Sequence, residues 1–179
     1  MEMRNIDASM MVRERTAERI RALLESYNIP WARTLDGVFR CVHSGGKFNI
    51  FRVFLHPLED AVQVQVVMPV NVGDCQRLED ICYCGVIANQ WLEKERCESF
   101  FRLSEDSEWY SFYRTIPLDS GRMKSHMRLR NELPRCCFFA EVFTDNAMKL
   151  MYNPSVSVTE ALDSIRFEIY GEHIDDEEE

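Results

Sequence analysis

From Ala61 to Val66 the chain reads AVQVQV, and strict alternation of this kind fits one backbone, an extended strand with a dry face and a wet face. Because the side-chain period is two, any strand paired with it must match it in parity or bury its own polar residues. The run just upstream does match. With Leu55 set opposite Val62, residues Phe51, Val53 and Leu55 share a face with Val62, Val64, Val66 and Met68, while Arg52, Phe54, Gln63 and Gln65 take the other. Ser44-Gly45-Gly46-Lys47 supplies residues that accept positive φ for a tight reversal before this pair. His56-Pro57-Leu58-Glu59-Asp60 supplies the turn within it. A further strand at Val38–Val42 completes a three-strand meander. A sheet with one apolar face calls for helices on that side.

The flanking sequence supplies the helices. Residues 1–8 read as a flexible N-terminus, and Ser9 to Tyr27 as an amphipathic helix with Ala17, Ile20, Leu23, Leu24 and Tyr27 inward. Asn28-Ile29-Pro30 ends it, since Pro30 pushes Ile29 out of the helical region. After Val70 a second helix carries Leu78, Ile81, Cys82, Gly85, Ala88 and Leu92 at spacings of three or four, with Asp74 as its N-cap. Gly85 costs helix propensity, and close packing on the sheet accounts for it. Two aromatic strands follow, Ser99–Leu103 and Trp109–Leu118, joined through Ser104–Ser107 into a hairpin that extends the sheet to five strands.

From Arg122 the chain is helical again. Pro134 reads as the first residue of a separate helix running to Tyr152, with Cys136, Phe139, Ala140, Phe143, Ala147 and Leu150 buried. Ser157-Val158-Thr159-Glu160 is a capping box that opens a short last helix. Residues 172–179, EHIDDEEE, form an acidic tail and read as disordered. The expected fold is a single α+β domain over residues 9–171, in the order α-β-β-β-α-β-β-α-α. Its five-stranded antiparallel sheet combines the meander and the hairpin, with helices mainly on one face.

Charge narrows the function classes. With 21 Lys and Arg against 30 Asp and Glu the formal charge is −9, which argues against nucleic acid and anionic membrane as partners, since both bind through Lys and Arg. No stretch reaches the roughly 20 apolar residues of a membrane-spanning helix, and MEMRNIDASM lacks the apolar core of a signal peptide. The 7 cysteines include no C-x-x-C pair. They read as reduced thiols of a cytoplasmic protein, packed as small hydrophobes.

The candidate sites are few. Cys82 with Cys84, and Cys136 with Cys137, lack metal-ligand spacing, and one member of each pair falls on an apolar stripe. His43, His56, His126 and His173 are scattered without the partners that base catalysis needs. The reading is of no enzyme, no cofactor and no metal. Arg40, Arg52, Arg102 and Arg114 stand one in each of four strands. A stripe of Arg40 and Arg52 with Gln63 and Gln65 on the open sheet face suits an acidic or carboxylate-bearing partner. Trp109, Tyr110, Phe112 and Tyr113, alternating on an edge strand, would suit a dimer contact or an added peptide strand. A different class of function, a small-ligand sensor, would need an apolar pocket gathered from Phe51, Val64, Phe139 and Phe143.

Asp36-Gly37-Val38-Phe39-Arg40, Phe51-Arg52-Val53, Val62-Gln63-Val64, Met68-Pro69-Val70, Ala88-Asn89 and Tyr113-Arg114, set in this order of elements, resemble the YbjN family of bacterial proteins. That family is often labelled as sensory transduction regulators and is similar in fold to the type III secretion chaperones. The resemblance spans roughly Ser9 to Tyr152. It implies a non-enzymatic, cytoplasmic, protein-binding or regulatory role, with a protein client or a second copy (a homodimer) as partner. The Cys-rich helices and the capped helix after Asn153 depart from the pattern.

Overall fold

The structure, a computed structural model, describes residues 2–43, 51–73, 75–93, 97–104, 108–118 and 122–171. The elements in chain order are α1 (Glu2–Ser26), β1 (Trp31–Arg33), β2 (Phe39–His43), β3 (Phe51–Pro57), β4 (Ala61–Asn71), α2 (Leu78–Leu92), β5 (Ser99–Leu103), β6 (Trp109–Pro117), α3 (Arg122–Tyr152) and α4 (Val158–Tyr170). The fold is α+β. One sheet holds six antiparallel strands in the order β1-β2-β3-β4-β6-β5. The sixth strand is β1, where five were expected. Its three residues, Trp-Ala-Arg, are too short to show alternation. They fold back on β2 through a turn in which Gly37 adopts φ 86°, Gly37 N–H donates to Thr34 O, and the Thr34 hydroxyl meets Val38. The reversal expected at Ser44–Lys47 lies outside the described residues.

The strands keep the expected parity but not the expected register. Val64, not Val62, stands opposite Leu55, and Val62 faces Pro57. The slip is two residues, so every side chain keeps its face. Phe51, Val53, Leu55, Val62, Val64, Val66 and Met68 are all buried. Val67 and Met68, neighbours in sequence, are both buried but on opposite faces of the sheet, and a register shift follows between Val67 and Asn71. Buried residues of all four helices join these sheet residues in one core.

The helix ends follow local chemistry. α1 begins at Glu2, ahead of the expected Ser9, because nothing in residues 2–8 breaks a helix even though no apolar stripe marks one. At its other end Asn28 takes φ 52°, Ile29 N–H donates to Leu24 O, and Asn28 N–H donates to Glu25 O, closing a Schellman motif. Asp74 lies outside the described residues, and α2 starts at Leu78, where Arg77 caps without a side-chain bond. Arg77 instead pairs with Asp80 at 2.7 Å and donates to the carbonyls of Leu150 and Val156, tying the start of α2 to the end of α3. The expected break at Pro134 does not occur. α3 runs unbroken from Arg122 to Tyr152 with Pro134 inside it. Pro134 and Arg130, whose carbonyl loses its partner, are both exposed, so water can take the freed bond. The Ser157–Glu160 capping box forms as read.

Gly85 earns its place by close approach, as expected. A Cβ there would sit 3.1 Å from the Tyr110 hydroxyl and 3.2 Å from its ring. The edge strand is β5, and a helix side chain closes it. Thr115 N–H donates to Glu98 O and Ser104 N–H to Trp109 O, so the even-numbered residues of β5 bond to β6 and the backbone N–H and C=O of Phe101 point away from β6. Asn89 on α2 meets Phe101 as a strand would. Its Oδ1 accepts from Phe101 N–H at 2.6 Å and its Nδ2 donates to Phe101 O at 3.0 Å. Replacing Asn89 with Ala leaves a donor and an acceptor unpaired, and the expected loss is about 2–4 kcal/mol of unfolding free energy. Urea denaturation measures it, and a loss under half a kcal/mol would deny the side chain this role.

Candidate functional site: the open sheet face

Parity places the polar half of each strand on the side without helices. Arg40, Phe54, Gln65, Tyr113 and Phe100 lie opposite one another as one row across five strands. Val42, Arg52, Val67, Ser111 and Arg102 form the next row, and His56, Gln63 and Thr115 a third. The sequence-predicted set Arg40, Arg52, Gln63 and Gln65 is therefore brought onto one surface. Trp109 joins it, lying 5.2 Å beneath the Arg52 guanidinium.

Gln65 and the two arginines are held differently. Gln65 Oε1 accepts from His56 Nε2 (3.2 Å) and its Nε2 donates to the Ser111 hydroxyl (3.3 Å), so it belongs to a polar chain spanning β3, β4 and β6. Arg40 and Arg52 are exposed. Phe100 stacks on Tyr113 with ring centres 5.1 Å apart, and these rings, like Phe54 and Trp109, are half-buried. Val42 is 48% exposed. Arg40, Arg52 and Arg102 bring the charge of this face, and no strand residue on it is a carboxylate.

Arg114, the fourth strand arginine, does not belong here. It stands opposite Val64 on the core face and is 1% exposed. Its Nε lies 2.8 Å from Glu132 Oε2 on α3, its Nη1 donates to Ser99 Oγ at 2.8 Å, and its guanidinium lies 5.9 Å from the Phe139 ring. The signal was present in the sequence, since Phe112, Arg114 and Ile116 share parity. Removing Glu132 alone would strand a buried cation at a cost of about 3–5 kcal/mol. The same argument makes Arg114→Met with Glu132→Leu markedly more stable than Glu132→Ala. Thermal unfolding of the three proteins checks that order.

The edge-strand reading of the aromatics also changes. β6 lies between β4 and β5, so it offers no free edge. Trp109 and Tyr113 face outward, whereas Tyr110 and Phe112 are core. The four residues of the pocket reading, Phe51, Val64, Phe139 and Phe143, are all buried. Phe139 meets Phe112 edge-on at 5.4 Å and Phe143 stacks on Phe101 at 4.4 Å. Open grooves occur elsewhere, one of about 600 Å³ beside Cys75, Arg77 and Tyr152, another of about 400 Å³ beside Glu14, Arg33 and His56.

The cysteines are free and mostly buried. Both Cys136 and Cys137 are interior, where one inward residue was expected. On α2 it is Cys84 that is buried, while Cys82 is half-buried against Tyr110. Burial pushes the Cys41 and Cys84 thiols up to about 11 and the Cys137 thiol to about 12, from an ordinary 9.0. Cys136 is pushed up by burial too, with Arg114 opposing. His56 and His126 sit far apart in function as well as sequence: His56 serves Gln65, and His126 meets Ser26 at 3.3 Å. Side chains of His43 and His173 lie outside the described residues. Among the described residues no group of three or more His, Cys, Asp or Glu is placed to hold a metal, and no helix is long and apolar enough to cross a membrane.

The chain matches no protein-family model, no curated protein and no solved structure.

The raised thiols carry a pH consequence. Below pH 9 they are protonated in folded and unfolded chains alike. Above it the unfolded chain ionises first, so stability falls as pH climbs from 9.0 to about 11. Urea midpoints across that range should fall, and by less in Cys41→Ala/Cys84→Ala than in the parent. Equal slopes would assign the loss to other groups.

Proposed function

We propose that this chain is a non-catalytic protein-binding or regulatory module, chaperone-like as the YbjN resemblance implies, and that its open sheet face receives an acidic segment of a client protein. The observation that carries the reading is the composition of that face. Arginines and half-buried aromatics share one sheet surface whose described strand residues include no carboxylate, in a chain of formal charge −9. Arginine over an aromatic ring presents a guanidinium fork that stays positioned for a carboxylate. Phe54, Tyr113 and Phe100 offer apolar area to the residues flanking that carboxylate, and aromatic residues with Arg are the usual anchors of such contacts. The Gln65 chain to His56 and Ser111 keeps the centre of the face ordered. A module of this kind needs no reactive group.

Changing Arg40 and Arg52 to Glu is expected to weaken client capture by about tenfold or more at low salt, chiefly through reversed charge. Pull-downs with equally folded parent and variant, read by the proteins recovered, check this. Unchanged recovery would remove the open face from the reading. A second copy is the other partner the resemblance implies. Light scattering at high concentration tests it, and a dimer that survives both charge reversals would place the self-contact away from this face.

A further inference from the structure

The groove beside Cys75, Arg77 and Tyr152 lies where four segments meet: the end of β4, the residues before α2, the end of α3 and the link to α4. Its volume is about 600 Å³, within the roughly 300–1,000 Å³ usual for small-molecule sites. The lining is apolar where α3 ends, with Met151, Tyr152 and Pro154, and polar where β4 leads into α2, with Asn71, Gln76 and Arg77. Tyr152 is 71% exposed, a large ring left facing water.

Arg77 is the fixed point of this lining. Its side chain is 25% exposed, and two corners of its guanidinium are anchored. Nε donates to Asp80 at 2.7 Å, and Nη1 donates to Val156 O at 2.8 Å and to Leu150 O at 3.4 Å. Nη2 makes no hydrogen bond among the described residues, so the third corner keeps its donors. Asn71 is half spent in the same way. Its Oδ1 accepts from Gly73 N–H at 2.8 Å, which leaves the Nδ2 donor. Gln76 is exposed, and its amide has no partner among the described residues. No described carboxylate lines the groove. An apolar patch beside a few unspent donors, one of them fixed and charged, is the make-up of a ligand site.

We propose that this groove binds a small organic monocarboxylate. One carboxylate oxygen accepts from Arg77 Nη2, the other from the amide of Asn71 or Gln76, and the apolar body lies along Met151, Tyr152 and Pro154. The charge count selects a singly charged head. Asp80 already offsets part of the Arg77 charge, so a phosphate monoester near −2 finds too little cation here. A neutral amide in place of the carboxylate loses the charge-assisted bond. Because Arg77 also holds the carbonyls of Leu150 and Val156, a ligand on its third corner braces the junction of α2, α3 and α4. Occupancy is then felt as stability. This inference does not depend on the open-face reading, and it gives small-ligand sensing a site outside the core of Phe51, Val64, Phe139 and Phe143.

The test uses the full chain and two probes, hexanoate and 4-phenylbutanoate, each beside its own primary amide. Proton–nitrogen NMR spectra, which include the arginine Nε–H signals, are followed in a titration to about 10 mM, enough to detect a millimolar Kd. Shifts are expected at residues 75–78 and 150–156 and at the Arg77 Nε–H, with each amide binding about tenfold or more weakly than its acid. Thermal midpoints should rise with the acids and stay in place with the amides. Arg77→Gln would also cut the bonds to Leu150 and Val156, so the amide probes rather than that variant test the charge. Tyr152→Ala should weaken 4-phenylbutanoate about threefold or more, with the midpoint of the unliganded protein unchanged because the ring is mostly exposed. Equal affinity of acid and amide, shifts centred on another surface, or no shift from either acid would overturn the proposal.

Discussion

A strand can give only every second side chain to a given face, and from that constraint the rest of this molecule follows. Phe51 to Leu55 and Val62 to Met68 put their apolar members on the same side, so helices must gather there. The opposite side is then left with Arg40, Arg52, Gln63 and Gln65 whatever the helices do. Hydrophobic burial sets the parity, and parity sets the chemistry of the open face.

Arg114 shows what the constraint costs when it carries a charge inward. Its place opposite Val64 is dictated by Phe112 and Ile116 on either side, and the fold answers with Glu132 and Ser99. That answer has a second effect. Glu132 is drawn off the surface of α3, which leaves the solvent side of residues 124–135 without a carboxylate. One buried ion pair thus shapes the electrostatics of a helix face it never reaches, and an acidic chain comes to have two cationic surfaces, one on the sheet and one on the helices.

The edges receive the same care as the faces. β5 is an edge strand with two phenylalanines in it, the sort that invites pairing with another chain. Asn89 fills the outward bonding positions of Phe101 with an amide that imitates a strand. The edge is thereby closed to strand pairing at Phe101. Gly85, one turn earlier on α2, lets the helix come near enough to Tyr110 for Asn89 to reach.

Much of this was legible from residues alone. Alternation disclosed which side chains of β3 and β4 face the core, helical spacing disclosed the buried stripe of α3, and Ser157 with Glu160 announced the start of α4. These are local effects, decided by neighbours a few residues away. Register, strand order, the short strand Trp31–Arg33, the continuity of α3 through Pro134 and the partner of Arg114 were not legible, or were read wrongly, because each depends on residues distant in sequence, whereas the inward parity of Arg114 is a local signal shared with Phe112 and Ile116. A two-residue slip between β3 and β4 preserves every hydrophobic contact class, so pattern cannot detect it. A proline in a helix is tolerated when its carbonyl partner faces water, which only packing reveals. The sequence by itself determined the two-sidedness of the sheet, since that is a property of period. Tertiary structure decided which charges stayed outside, since that required a carboxylate on α3 to come within reach of an arginine on β6.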